Sequence, residues 1–158
     1  MRVDAVREFL ERRGLGAAYR QFEVSSATVD LAARAVGCEP GRIAKTLSLL
    51  GGDGPLVLVT MGTARLDNRK FKDVFHHKAH FIKAGDMERL VGHPMGGVCP
   101  FALPDGVPVY LDASLKRFDP VYPAAGAPNN AAELTLAQLE EVTGGEWIDV
   151  CKGNECSE

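Results

Sequence analysis

The sequence predicts an α+β fold: one domain over residues 1–158, built on a mixed, partly barrel-like β-sheet with peripheral α-helices. Three observations lead there. Strand-like and helix-like patterns follow one another irregularly, without the steady βαβ beat of a doubly wound sheet. Two near-continuous apolar runs, residues 43–50 and 56–61, flank the turn Gly51-Gly52-Asp53-Gly54-Pro55. They read as a hairpin that lies central in the sheet and is covered on both faces. The chain has 158 residues, which suits one substantial core, and it shows no internal repeat, linker or low-complexity stretch.

Each element has a local reason. Val3, Val6, Phe9 and Leu10 recur at helical spacing and Gly14 ends the run, giving a first amphipathic helix. Residues 18–24 read as a strand. Ser25-Ser26-Ala27-Thr28 offers capping side chains for a helix over 29–36, which Gly37 closes. Cys38-Glu39-Pro40-Gly41 turns the chain into the hairpin. Residues 66–75 read as a helix with Asp67 near its start, 80–83 as a short strand and 86–91 as a short helix. The loop Gly96-Gly97-Val98-Cys99-Pro100 follows. Residues 107–112 read as a strand, which Pro108 confines to a start or an edge. Residues 113–118 make a turn of helix and 121–126 a short strand. Thr135-Leu136-Ala137-Gln138 fits a capping box, and Leu136, Leu139 and Val142 form the buried stripe of the last helix. Residues 147–150 are a closing strand, and a polar tail runs from about residue 152.

Composition narrows the function classes. Hydrophobic content of 46% and charged content of 25% suit a soluble globular protein. A formal charge of -3 provides no whole-protein field for nucleic acid, so any RNA contact must use a local basic patch. No apolar run approaches the ~20 residues that span a bilayer, so no membrane partner is expected. The charged, helix-like N-terminus lacks an apolar signal core, and the expected location is cytoplasmic. The four cysteines, Cys38, Cys99, Cys151 and Cys156, form no CxxC pair and read as reduced thiols. Cys151 and Cys156 are close enough in sequence for a disulfide or a weak metal site.

Four features could carry chemistry. Lys45 interrupts an apolar strand: it is an edge charge against aggregation, or a cation for a phosphate or developing oxyanion. The 96–100 loop is a plain glycine–proline turn, or a wall of backbone donors beside a carbonyl under attack. It has neither GxGxxG spacing nor a following Lys-Ser/Thr, so neither a Rossmann site nor a P-loop is supported. His76 and His80 share a face if the helix continues through them, with His77 and His93 nearby, as zinc ligands would; HExxH is absent. Cys99 invites a nucleophile reading but has no base at a defined spacing.

In order and spacing, these residues resemble the YbaK/EbsC/ProX family of aminoacyl-tRNA editing domains, related to the insertion domain of bacterial prolyl-tRNA synthetase. The resemblance rests on Ser26-Ala27-Thr28, on Gly41-Arg42-Ile43-Ala44-Lys45-Thr46-Leu47 and on Arg65-Leu66-Asp67. Gly96-Gly97-Val98-Cys99-Pro100-Phe101, as a GxxxP loop, and Ala124-Ala125-Gly126 with Glu133-Leu134 complete it. It implies a free-standing enzyme that hydrolyses the ester of a mischarged tRNA, with no cofactor and no metal. Lys45 would hold the tRNA 3′ end, and Gly96, Gly97 and Pro100 would bind the carbonyl and position water. Phe22, Ser26, Thr28, Val98, Cys99 and Gly126 would form the substrate pocket. A synthetase is a further implied partner. Members that clear cysteine carry a tyrosine where this chain has Phe22 and an aspartate where it has Ala131, so alanine, serine and threonine stay open beside cysteine. Two other readings stand: a non-catalytic module that binds tRNA or a synthetase, and a metal-dependent hydrolase built on the histidines.

Overall fold

Two unbroken apolar arms demand cover on both sides, and the hairpin they form is the centre of the molecule. The computed structural model describes residues 2–26, 28–93, 98–127 and 129–153. In chain order the elements are α1 (Arg2–Arg12), β1 (Tyr19–Gln21), α2 (Val29–Val36), β2 (Ile43–Gly51), β3 (Gly54–Met61) and α3 (Asn68–Phe75). There follow α4 (Met87–Val91), β4 (Val109–Asp112), β5 (Tyr122–Pro123), β6 (Asn130–Ala132), α5 (Leu136–Thr143) and β7 (Glu146–Ile148).

The main sheet has the order β5-β2-β3-β4-β7. β2 and β3 pair antiparallel, while β5, β4 and β7 join in parallel. A second sheet pairs β1 with β6. A single bridge, Val121 to Leu134, ties the approach to β5 to the exit from β6, and the barrel-like wrap stops at that bridge.

Successive side chains of a strand point to opposite faces. Val57 and Val59 of β3 therefore join a core with Val6, Leu10, Leu111, Phe101 and Leu139. Leu56 and Leu58 join the other with Leu49, Phe71 and Val150. Burying Phe71 completely is worth about 1.5–3 kcal/mol and pins α3 across the hairpin.

Helix ends follow the capping residues. Thr28 Oγ1 accepts from the Leu31 N–H at 3.2 Å and Gly37 closes α2 at φ 86°. Asp67 accepts from the N–H groups of Arg69 and Lys70 at 3.0 and 3.2 Å. Thr135 and Gln138 form the expected capping box on α5.

Several expected boundaries move. The strand expected over 18–24 is only β1, because its partner β6 offers three residues. Residues 80–83 form no strand; they meet β2 through the Leu49–Phe81 bridge and two flanking hydrogen bonds. The strand expected over 121–126 shortens to β5, because a buried Asn130 side chain folds the segment that follows into a turn.

Candidate active site

β2 has an open stretch on one edge. β5 pairs with it only at Ile43 and Ala44. Further on, the Ile82 N–H donates to the Ser48 carbonyl and the Leu50 N–H to the His80 carbonyl. Between those anchors no described strand lies beside Thr46, and a cavity of about 220 Å³ opens there. That is smaller than the ~300–1,000 Å³ of sites enclosing drug-sized ligands, so it suits a small group.

Residues 43–48 of β2 form one wall, and Ser26, Thr28 and α2 form another. Phe81, Met87, Val98, Tyr122, Asn130 and Ala131 complete the lining. Lys45 is held rather than waving in solvent: its Nζ donates to the Ala64 carbonyl at 2.8 Å. The hydroxyls of Ser26, Thr46 and Ser48 are buried without a hydrogen-bond partner among the described residues. All three belong to residues that line this cavity. A buried hydroxyl left unpaired costs about 1–3 kcal/mol, and these three gather on residues around one cavity.

The structure brings together Lys45, Ser26, Thr28 and Val98 of the residues expected in the site. It places others elsewhere. Cys99 is sealed in the core, its Sγ 3.5 Å from His93 Nε2 and donating to the Phe101 carbonyl at 3.8 Å. It is not among the residues that line the cavity. Pro100 and Gly126 are buried behind the lining rather than in it. Phe22 stands outside it too, its N–H bonded to the Asn129 carbonyl at 2.8 Å. Gly96, Gly97 and Cys156 lie outside the described residues.

His77 and His80 stack with ring centroids 6.4 Å apart, but the histidines do not gather as one ligand set among the described residues. α3 ends at Phe75, and His76 turns left-handed at φ 66°, so His76 and His80 share no helix face. His93 is buried with Nε2 2.7 Å from the Phe101 carbonyl. Among the described residues no three His, Cys, Asp or Glu side chains gather as a metal site.

Residues 23–142 match the family model for the aminoacyl-tRNA editing domain. The chain belongs to that family. A Bacillus subtilis relative, "Uncharacterized protein YwhH", is 47% identical over 84% of this chain and 85% of its own. An Enterococcus faecalis relative, "Putative Cys-tRNA(Pro)/Cys-tRNA(Cys) deacylase EbsC", is 28% identical over 84% of each chain. A solved structure described as "a putative trans-editing enzyme for prolyl tRNA synthetase" superposes with a TM-score of 0.86 at 30% identity. The match covers 96% of this chain and 97% of that one. The fold is thus the α+β editing-domain fold, with its mixed sheet and several helices.

Two residues of this editing domain's cavity escape a reading by sequence. Asn130 is buried and fully used: its Oδ1 accepts from the Ala125 and Ala127 N–H groups at 3.0 and 3.2 Å. Its Nδ2 donates to the Ala125 carbonyl and to Tyr19 Oη at 3.1 and 3.2 Å. The Asn129-Asn130 pair inside an alanine-rich stretch was the available signal. Tyr122 brings a phenol to the cavity from β5, although residue 22 is phenylalanine. Burial, with Glu133 next, raises its pKa, so it stays protonated and able to donate.

Electrostatics separate the candidates. Burial holds the Lys45 ammonium below the usual lysine value; Cys151 opposes that shift and the Arg65 charge adds to it. Burial pushes the Cys99 thiol up to about 12 despite its bond to the Phe101 carbonyl. Cys151 is likewise pushed up to about 12, first by burial and then by the Asp112 carboxylate.

Proposed function

We propose that this editing domain is a free-standing deacylase. It hydrolyses the ester joining a small amino acid (alanine, serine, cysteine or threonine) to the 3′-terminal ribose of a mischarged tRNA. The observation that carries the reading is the cavity itself, a volume of about 220 Å³ lined by Lys45 and by Ser26, Thr46 and Ser48, whose hydroxyls have no partner among the described residues.

An aminoacyl ester is already activated, so its hydrolysis needs position and oxyanion donors more than a strong nucleophile. The cavity takes the aminoacyl group. Lys45, anchored by the Ala64 carbonyl, offers its remaining N–H donors to the ribose and phosphate of the tRNA end. Backbone groups of Gly96 and Gly97 are assigned to the carbonyl and the attacking water, with Pro100 setting the path of the loop. Val98, which lines the cavity, supports that assignment. Cys99 takes no part as nucleophile, since a sealed thiol of pKa about 12 supplies almost no thiolate.

The three hydroxyls favour an aminoacyl group with a hydrogen-bonding side chain. Sites built for a hydroxyl discriminate strongly against analogues that lack it. Seryl and threonyl esters are therefore the expected best substrates, ahead of alanyl. A synthetase is the expected upstream partner. In support, 78% of this chain aligns with 20% of a Streptococcus sanguinis "Proline--tRNA ligase" at 25% identity.

Deacylation of tRNAs charged with alanine, serine, cysteine or threonine tests this. Lys45→Ala should lower kcat/KM by about 10- to 150-fold, the worth of a charged hydrogen bond, and a chelator should change nothing. Absence of turnover on every charged tRNA, with tRNA binding intact, makes the protein a binding module instead. Chelator-sensitive turnover makes it a metal-dependent hydrolase.

A further inference from the structure

Charge is segregated in this chain. Residues 65–83 hold six of its 18 lysines and arginines but only two of its 21 acidic residues. The remainder is correspondingly acidic. Within the segment Lys70 is engaged, bonded to Asp149 and the Cys151 carbonyl. Arg65, Arg69, Lys72, Lys78 and Lys83 are exposed and form no ion pair among the described residues.

The path of this segment matters more than its charge. It starts at Arg65, close enough to Lys45 to depress that ammonium's pKa. It crosses the hairpin as α3, whose Phe71 is buried beneath it. It returns along the open edge of β2, where the Leu49–Phe81 bridge and the Ile82 N–H to Ser48 carbonyl bond hold it. The strip therefore starts next to Ala64, whose carbonyl holds Lys45, and reaches the cavity at Phe81.

Phe81 stands at that end with 57% of its surface exposed, and it lines the cavity. A lone exposed apolar residue on a protein surface needs no explanation. This one is different in place: its neighbour Ile82 is buried and the backbone is pinned on both sides, so the residue is fixed at the rim. Lys78, His80 and Lys83 flank it in the exposed chain. Aromatic faces interleaved with cations are how proteins hold single-stranded nucleic acid: the base stacks and the phosphates pair.

We propose that the strip from Arg65 to Lys83 is the docking surface for the single-stranded 3′ arm of tRNA. Phe81 stacks on its terminal base, and Lys78 and Lys83 contact its phosphates. This assignment rests on the deacylase reading for the identity of the RNA.

The test is binding of uncharged tRNA, full-length and trimmed of its 3′-terminal nucleotide, across a salt series. Phe81→Ala should weaken full-length binding on the order of tenfold, within the range of one base–aromatic stack. On trimmed tRNA the same substitution should cost less than about twofold, because the stacking partner is already gone. Phe81→Trp should restore full-length binding. Lys78→Glu with Lys83→Glu should flatten the salt slope by about 0.7 for each phosphate no longer neutralised. Arg12→Glu with Arg13→Glu, both exposed where α1 ends, is the control that leaves binding unchanged.

Equal losses on both tRNAs, or no loss, overturn the stacking assignment. An unchanged salt slope overturns the strip. If wild-type protein clears charged tRNA while the Phe81 effects are equal on both tRNAs, the docking surface falls and the deacylase stands. If the Phe81 effect vanishes on trimmed tRNA but no charged tRNA is cleared, the surface stands and the deacylase falls.

Discussion

Lys45 is the residue on which the site turns, and its protonation makes a pH prediction. Its folded pKa lies below the ordinary lysine value, chiefly because of burial. The ammonium is therefore lost as pH rises through that lowered value, sooner than for a free lysine. Its share of tRNA binding should fade on the alkaline side, at a lower pH than that at which a free lysine loses its charge. Lys45→Arg, charged throughout, should hold a flat profile; a wild-type profile equally flat would sink the grip assigned to Lys45. The thiols make a second prediction. Cys99 and Cys151, with pKa values pushed up to about 12, present on the order of one thiolate in ten thousand at pH 8. Alkylation of the native protein should mark Cys38, which is partly exposed, well before either; peptide mass spectrometry reads the order. Early labelling of Cys99 would contradict its sealed place. At this scale the sequence pointed to Lys45, Ser26, Thr28 and Val98 as one neighbourhood. Where Cys99 lies was not legible, because whether a loop side chain faces the cavity or the core depends on the loop's path. Here Cys99 turns inward to His93 and the Phe101 carbonyl.

Among the elements, those with local causes were legible and those made by distant partners were not. The hairpin, the Thr28, Asp67 and Thr135 caps and the glycine stop at Gly37 all follow from neighbours in sequence. β6 went unread, since three residues, Asn130–Ala132, carry no periodicity and exist as a strand only through β1. The expected strand over 80–83 failed for the converse reason: extended chain beside β2 makes one bridge there, not a ladder. One glycine sets how β3 leaves the sheet beside the turn that leads into β2. A Cβ on Gly62 would lie 2.7 Å from the carbonyl oxygens of both Ile43 and Pro40. Both are backbone atoms and cannot step aside cheaply. Gly62→Ala should lower stability by about 1–3 kcal/mol, read as a lower denaturant midpoint with unchanged slope. Because Ile43 lies two residues before Lys45 in β2, activity should fall further than stability explains. A neutral Gly62→Ala would mean the approach of β2 and β3 is looser than these distances allow.

For the whole molecule, the balance of charge decides how tRNA is held. Phosphate contacts dominate nucleic-acid affinity, and this chain carries a net charge of -3 with six of its 18 lysines and arginines gathered on one strip. Binding of bare tRNA at about 0.15 M salt should be micromolar or weaker and should fall steeply as salt rises; nanomolar affinity in a filter or anisotropy assay would refute this. Weak capture suits the proposed deacylase, which would rely on the aminoacyl group to complete its contacts. By itself the sequence determined the α+β class, the central hairpin and its two-sided burial. It also determined the order of motifs that marks an editing domain. The class and the hairpin are set by periodicity and turn chemistry, which are local; the motif order marks an editing domain only through its resemblance to that family. Only the tertiary structure decided where the cavity lies, because an open edge on β2 exists only once β5 stops at Ala44 and the 80–82 segment begins at Ser48. It alone gathered three unpaired hydroxyls from α2's approach and β2 around that gap. It alone brought Arg65, α3 and Phe81 into one strip, since contacts between residues far apart in the chain leave no periodic trace in it.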